Sequence, residues 1–298
     1  DVLPGNGAGD VDFVIGDATA ETFDLGAGDD FADGKGGDDT LEGGAGDDVL
    51  LGGEGTDTAL FSGPSSQYGI VLSADGVEVT DKSGATGTDF LDGVELIAFG
   101  DDTSFVADGA LDVQTLLGGL SLSADQFSML AETYIAYFDR APDALGLLFW
   151  ADALADGTSL KEIAQLFSQQ PEAAAKLPDE FGALVDTGYT HLLERQPDAE
   201  GRAFWVEALD RGRVGVGEFF YELIEGARAN PDGGADVTTI ETKASIALAY
   251  GLSNGLTDVG DAETVLAGYD REDPAGSLAA AQTLIEQFAD ASSGDGGD

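Results

Sequence analysis

Asp12, Glu21, Asp30, Asp39, Asp48 and Asp57 stand nine residues apart. Around them the chain divides without a gap into nonamers from Gly7 to Leu60, with these acids at the sixth position. The fourth position holds Gly28, Gly37, Gly46 and Gly55 in the last four nonamers, and the eighth holds Val14, Phe23, Ala32, Leu41, Leu50 and Ala59. Carboxylates at a fixed spacing among glycines are a donor set for a hard cation. Several oxygen ligands on a flexible loop suit Ca²⁺ better than the strict octahedron of Mg²⁺. Zinc favours imidazole and thiolate, and the chain has one His and no Cys.

Such donors need a scaffold that repeats with them. The glycine-rich half of each nonamer must turn tightly, with backbone close to an ion, which favours residues without a Cβ. The other half reads as a short strand whose eighth-position side chain points into a thin core. With two nonamers to a coil, as in the RTX rolls that this spacing resembles, residues 18 apart would stack at the inter-strand spacing. The acids then form two columns, Asp12–Asp30–Asp48 and Glu21–Asp39–Asp57. Carboxylates about 5 Å apart repel by roughly 3 kcal/mol per pair at an effective dielectric near 20, so the columns need cations to fold. A flexible Gly/Asp linker would have no reason to hold the eighth-position apolar residues in phase.

The pattern resembles the RTX (hemolysin-type) calcium-binding repeat. That resemblance implies a parallel β-roll with several Ca²⁺ ions between adjacent turns, held by sixth-position acids and loop carbonyls. The best-formed sites are expected at Asp30, Asp39, Asp48 and Asp57. Glu21 and Thr19 make the early nonamers degenerate. In the pairs Asp29-Asp30, Asp38-Asp39 and Asp47-Asp48, the second residue is expected to bind and the first to face water.

The stretch after Leu60 reads as a cap over the open end of the roll. It predicts a hairpin, Tyr68–Leu72 and Val77–Thr80 around Ala74-Asp75-Gly76, then two further short strands. Asp89, two residues after Gly87, is equally readable as one more ligand or as a turn residue.

Beyond Asp108 the period changes to that of helices: Phe127, Leu130, Tyr134, Tyr137 and Phe138 share one face. Ser159–Glu162 is a capping box, Thr238–Glu241 is expected to open a helix, and Asp273-Pro274 opens the last one. The segments 134–154 and 189–209 repeat each other, pairing Arg140 with Arg195, Asp143 with Asp198, Gly146 with Gly201, and Phe149-Trp150 with Phe204-Trp205. The aromatics are expected in paired core layers, with the arginines bracing the turns. The signature R-x-P-D-x-x-G-x-x-F-W resembles the domain of unknown function 4214 over about 126–290, a family associated with RTX repeats and surface-layer proteins. The expected fold is a β-roll with a β cap over 1–106, a linker over 107–125, an all-α domain with an internal repeat over 126–290, and an acidic tail over 291–298.

The chain of 298 residues carries 58 acidic against 12 basic residues, a formal net charge of −46. Nucleic acid and anionic membranes are therefore excluded as partners. No apolar run approaches the roughly 18 residues of a membrane span. Gly251–Gly255 fits G-x-S-x-G, but its place at a helix end argues against a nucleophile. The RTX resemblance implies type I secretion and calcium-driven folding outside the cell. The function expected is a non-catalytic structural or adhesive protein of the bacterial surface, its helical half serving self-assembly or cell-surface glycan. The rival reading is a carrier segment of a larger secreted hydrolase or toxin.

Overall fold

The computed structural model describes residues 2–4, 9–73, 75–100 and 110–289. Gly7 and Ala8 of the first nonamer, Ala74 of the hairpin turn, 107–109 of the expected linker and the 291–298 tail lie outside them.

The nonamers fold as the roll their periodicity predicts. Strands β1 (Val2–Pro4), β3 (Thr22–Ala27), β5 (Thr40–Ala45) and β7 (Thr58–Phe61) pair in parallel on one sheet; β2 (Phe13–Ile15), β4 (Phe31–Asp33) and β6 (Val49–Leu51) do so on the other. The register steps by 18 residues, Phe23 to Leu41 to Ala59 on one sheet and Val14 to Ala32 to Leu50 on the other. Phe23, Ala32, Leu41, Leu50 and Ala59 are all buried in the narrow core between the sheets.

The cap is a hairpin, β8 (Tyr68–Ser73) with β9 (Gly76–Asp81), followed by β10 (Thr88–Asp92) and β11 (Leu96–Phe99). β10 lies parallel to β6 and β11 parallel to β7, so both sheets run from the roll into the cap without a break. Within 107–125, the described residues are not a linker. β12 (Ala110–Asp112) pairs antiparallel with β11, and α1 (Val113–Gly118) follows at once, its N-terminus capped by the Asp112 carboxylate. The apolar residues Leu111, Val113 and Leu116 are buried in the cap core, which holds the chain in place there.

The helical half comprises α2 (Ala124–Phe138), α3 (Ala144–Ala155), α4 (Leu160–Ser168), α5 (Pro171–Lys176), α6 (Phe181–Leu193), α7 (Ala199–Asp210), α8 (Phe219–Ala229), α9 (Gly234–Leu248), α10 (Val259–Ala267) and α11 (Pro274–Ala289). The Ser159 capping box forms, and the Asp273 carboxylate receives the Gly276 amide at the start of α11. Thr238 does not open α9. The helix begins at Gly234, and the Thr238 hydroxyl donates back to the Gly234 carbonyl from inside it.

The sequence duplication is a structural one. α2 and α6 each end on a left-handed residue, Asp139 and Glu194, both at φ 50°. Asp143 and Asp198 then cap α3 and α7, each accepting the amide three residues on at 2.8 Å. Arg140 lies 5.1 Å over Tyr134, and Arg195 lies 4.9 Å over Tyr189. The aromatics depart from the expected core layers. Trp150 and Trp205 pack edge-on against Phe167 and Phe219, but their neighbours Phe149 and Phe204 are 37% and 55% exposed.

Roll and helices share a core. Leu145 and Leu148 of α3 join Phe61, Tyr68, Ile70 and Val113 in the cap's apolar cluster, while Trp150, on the same helix, packs into the helical core. The loop before α10 docks on the edge of β8: Ile70 donates to the Gly255 carbonyl at 2.8 Å, Gly69 and Leu256 form an antiparallel bridge, and the Thr257 hydroxyl donates to the Tyr68 carbonyl. Among the described residues no helix is long and apolar enough to cross a membrane.

Candidate metal centre

Along each column the amide of one acid donates to the carboxylate of the acid one coil later. The Asp12 amide donates to Asp30 Oδ1 at 2.7 Å and the Asp30 amide to Asp48 Oδ1 at 2.8 Å. On the other edge Glu21 donates to Asp39 Oδ1 and Asp39 to Asp57 Oδ1, both at 2.8 Å. One carboxylate oxygen per residue is therefore used to hold the coils in register. The second oxygens of Asp30, Asp39, Asp48 and Asp57 are buried and have no hydrogen-bond partner.

A buried charged oxygen without a partner costs several kcal/mol unless something neutralises it. Burial, reinforced by the stacked carboxylates of Glu21, Asp30 and Asp39 respectively, pushes Asp39, Asp48 and Asp57 above the usual carboxylate range. Backbone oxygens lie alongside. A Cβ added at Gly34 would meet Asp39 Oδ2 at 2.4 Å and the Gly52 carbonyl at 2.6 Å, so the turn brings a free carboxylate oxygen and a carbonyl of the next coil to one spot. Hard oxygens of both kinds around a narrow glycine-lined space fit calcium. Asp12 is half-buried at the outer coil, and Glu21 is buried, with its carboxylate also accepting the Asp17 amide.

The fourth-position glycines carry the close approach. Gly28, Gly37, Gly46 and Gly55 have φ between 114° and 143°, a region costly for other residues. A Cβ on Gly55 would lie 1.9 Å from the Gly37 carbonyl, and one on Gly46 would lie 2.0 Å from that of Gly28. Lys35 holds the second position left-handed at φ 70°, where neighbouring coils have Gly26, Gly44 and Gly53.

Two features escape a reading of the nonamers. Asp29, Asp38 and Asp47 are exposed, yet their carboxylates accept the amides of Asp47, Thr56 and Thr88, so they join coils rather than only facing water. The columns also do not stop at Leu60: Asp48 donates to Asp89 Oδ1 at 3.1 Å and Asp57 to Glu95 Oε2 at 2.8 Å. Burial pushes Asp89 up to about 8. The Gly87-Thr88-Asp89 order at the start of β10 is the signal for Asp89. Glu95 follows Asp89 by six residues instead of nine, which takes it out of phase.

In the helical half, Arg140 is buried with its five N–H groups all engaged, by Glu172 twice, Asp143, Tyr134 and the Ala141 carbonyl. A cavity of about 510 Å³ opens beside it, bordered by Phe149, Trp150, Gln170 and Glu172. Ser253 lies in a π-helical turn (Ala249–Ser253), without the strand before it that a nucleophile elbow requires. His191 contacts the Ala136 carbonyl, and burial lowers its pKa.

Residues 24–59 match the RTX calcium-binding nonapeptide repeat in four copies. Residues 119–177 match DUF4214, a domain of unknown function. The second match covers α2 to α5, the first of the two helical units; α6 and α7, which repeat α2 and α3, lie outside it. No curated protein matches the chain.

Proposed function

We propose that this chain, RTX repeats joined to a DUF4214 domain, is a non-catalytic structural or adhesive protein that folds on calcium outside a bacterial cell. The observation that carries the reading is the set of buried, partnerless oxygens on Asp30, Asp39, Asp48 and Asp57. These four acids, with the carbonyls of the turns at Gly28, Gly37, Gly46 and Gly55, would hold the ions; Asp12 and Glu21 would complete the outer coil. Calcium supplies the positive charge that the stacked carboxylates lack, so its binding free energy becomes folding free energy. Extracellular calcium modules bind at roughly 10⁻⁴ to 10⁻³ M, which leaves such a roll open in the cytosol and closed outside.

The helical half carries the specific task in this reading. Phe149 and Phe204 occupy equivalent places on α3 and α7 and are solvent-exposed, which favours a repeated contact, either with further copies of the chain or with surface glycan. Light scattering and circular dichroism, with calcium and with chelator, test the proposal. Ordered β-structure and a larger mass in calcium support it; a β-signal indifferent to chelator overturns it.

A further inference from the structure

We infer that the cap supplies calcium ligands of its own, Asp89 and Glu95 closing two sites beyond the residues that match the repeat family. The inference rests on the calcium reading of the roll and extends it into a segment whose sequence has lost the nonamer period.

On the first edge, the amide after each acid donates to the carbonyl of the acid one coil earlier: Phe31 to Asp12, Val49 to Asp30, and then Phe90 to Asp48 at 2.8 Å. Gly87 repeats the fourth-position glycine. It has φ 79°, and a Cβ there would meet the Gly46 carbonyl at 2.4 Å, as one on Gly46 would meet that of Gly28. Thr88 repeats the fifth position, its amide donating to Asp47 Oδ1 as the Asp47 amide does to Asp29. Gly87 to Asp92 thus has the backbone of the second two-thirds of a nonamer, and Asp89, 3% exposed, occupies the ligand position.

The second edge behaves alike. Thr40 donates to Glu21, Thr58 to Asp39, and Leu96 to Asp57, each through backbone N–H and carbonyl. A Cβ at Gly16 would strike Glu21 Oε2 and the Gly34 carbonyl, one at Gly34 would strike Asp39 Oδ2 and the Gly52 carbonyl, and one at Gly52 would strike Asp57 Oδ2 and the Gly93 carbonyl. Gly93 therefore presents its carbonyl where a further nonamer would present its first glycine. Glu95 keeps its place in the ladder despite the turn before it being three residues short, because β11 pairs with β7 in register, Leu96 opposite Thr58.

The partnerless oxygens of Asp48 and Asp57, on which the roll reading also rests, lie in the coil next to the cap, and that of Asp57 shares the Gly52 turn with the Gly93 carbonyl. Both are at most 1% exposed, and both belong to the coil that the cap covers. A cap serving only as a lid would need apolar or neutral residues here, since additional carboxylates extend the stacked charge. With a cation, the same two acids become the closing half of a site made of hard oxygens.

Counting bound calcium by native mass spectrometry, with circular dichroism as the check on folding, tests this on the full chain. Asp89→Asn and Glu95→Gln each keep an oxygen to accept the Asp48 or Asp57 amide while removing the charge. Each is expected to carry one ion fewer than the parent at the same free calcium, and the double variant two fewer. A full count in folded single variants makes the cap a passive lid and overturns the inference. Should Asp89→Asn fail to fold, Glu95→Gln on the opposite edge decides alone by the same count. A parent chain that binds no calcium would instead sink the reading of the roll itself.

Discussion

The amide of Ile70 in β8 donates to the carbonyl of Gly255, so a loop of the helical half forms the outer rung of the cap's sheet. Gly255 sits at φ 61°, and a Cβ on it would lie 2.1 Å from the Ile70 carbonyl. Gly255→Val is expected to cost roughly 2 kcal/mol or more, from backbone strain and loss of the rung. Trp150 and Trp205 both lie in the helical half and report on it by fluorescence. Urea melts in saturating calcium should show that signal and the β-signal coinciding in the parent and separating in the variant; coincidence in both would contradict the docking role.

Calcium loading should accordingly reach the helices. Leu145 and Leu148 of α3 are buried in the cap cluster, which is contiguous with the coil of Asp48. Asp48→Ala removes both the acceptor for the Asp30 amide and a buried, partnerless oxygen, whereas Asp12→Ala acts at a half-buried outer position. The expected result is a calcium midpoint shifted further for Asp48→Ala, with the tryptophan-reported melt lowered as well. Equal midpoints for the two variants would refute the ranking.

Arg140 and Arg202 separate two kinds of ion pair. Arg140→Ala takes the guanidinium from the buried Asp143 carboxylate and Tyr134 hydroxyl, while the part-exposed Glu172 keeps Lys176, an expected loss of about 3–5 kcal/mol. Arg202, paired with Asp186 at a largely solvated site, should cost far less, because water screens the pair and solvates each partner alone. Denaturation of both variants in calcium checks the contrast.

Glu132 gives the helical half a pH response. It is 1% exposed, receives Arg228 and the Ser128 hydroxyl on Oε1, leaves Oε2 without a partner, and lies near Glu225 and Glu241. Burial pushes it up to about 7, despite the opposing pull of Arg228. The folded state then binds the proton more tightly than the unfolded one, so its stabilising effect is complete below about pH 4.5 and is lost as pH rises through 7. Relative to Glu132→Gln, the parent should lose about 3 kcal/mol over that interval. A constant difference between parent and variant at pH 5 and pH 8 would exclude the effect.

The roll was legible because phase is a strong signal: Asp30, Asp39, Asp48 and Asp57 keep step with Ala32, Leu41, Leu50 and Ala59, and only a coil needs both. Glu95 was hidden by the short turn before it, which leaves the stacking unchanged but breaks the count. α3 misled because it is apolar on nearly every side. One face enters the cap core through Leu145 and Leu148 and another meets Phe167 through Trp150, so periodicity could not single out Phe149 as exposed. The docking of Gly255 and Leu256 was illegible for a different reason: backbone pairs with backbone there, and side-chain pattern carries no trace of it. The expected linker fell partly to the same cause, since β12 joins β11 through its main chain, and partly because Leu111, Val113 and Leu116 are too short an apolar run to declare a period.

The ladder of amides has a grain. Each N–H in the acid columns donates toward the later coil, from Asp12 to Asp30 to Asp48 to Asp89. The amides that follow the acids donate back, from Phe31 to Asp12, Val49 to Asp30 and Phe90 to Asp48, so each seam between coils is stitched from both sides and opens as a unit. The outermost coil, with Phe13 and Ile15 exposed, is therefore the first to fray.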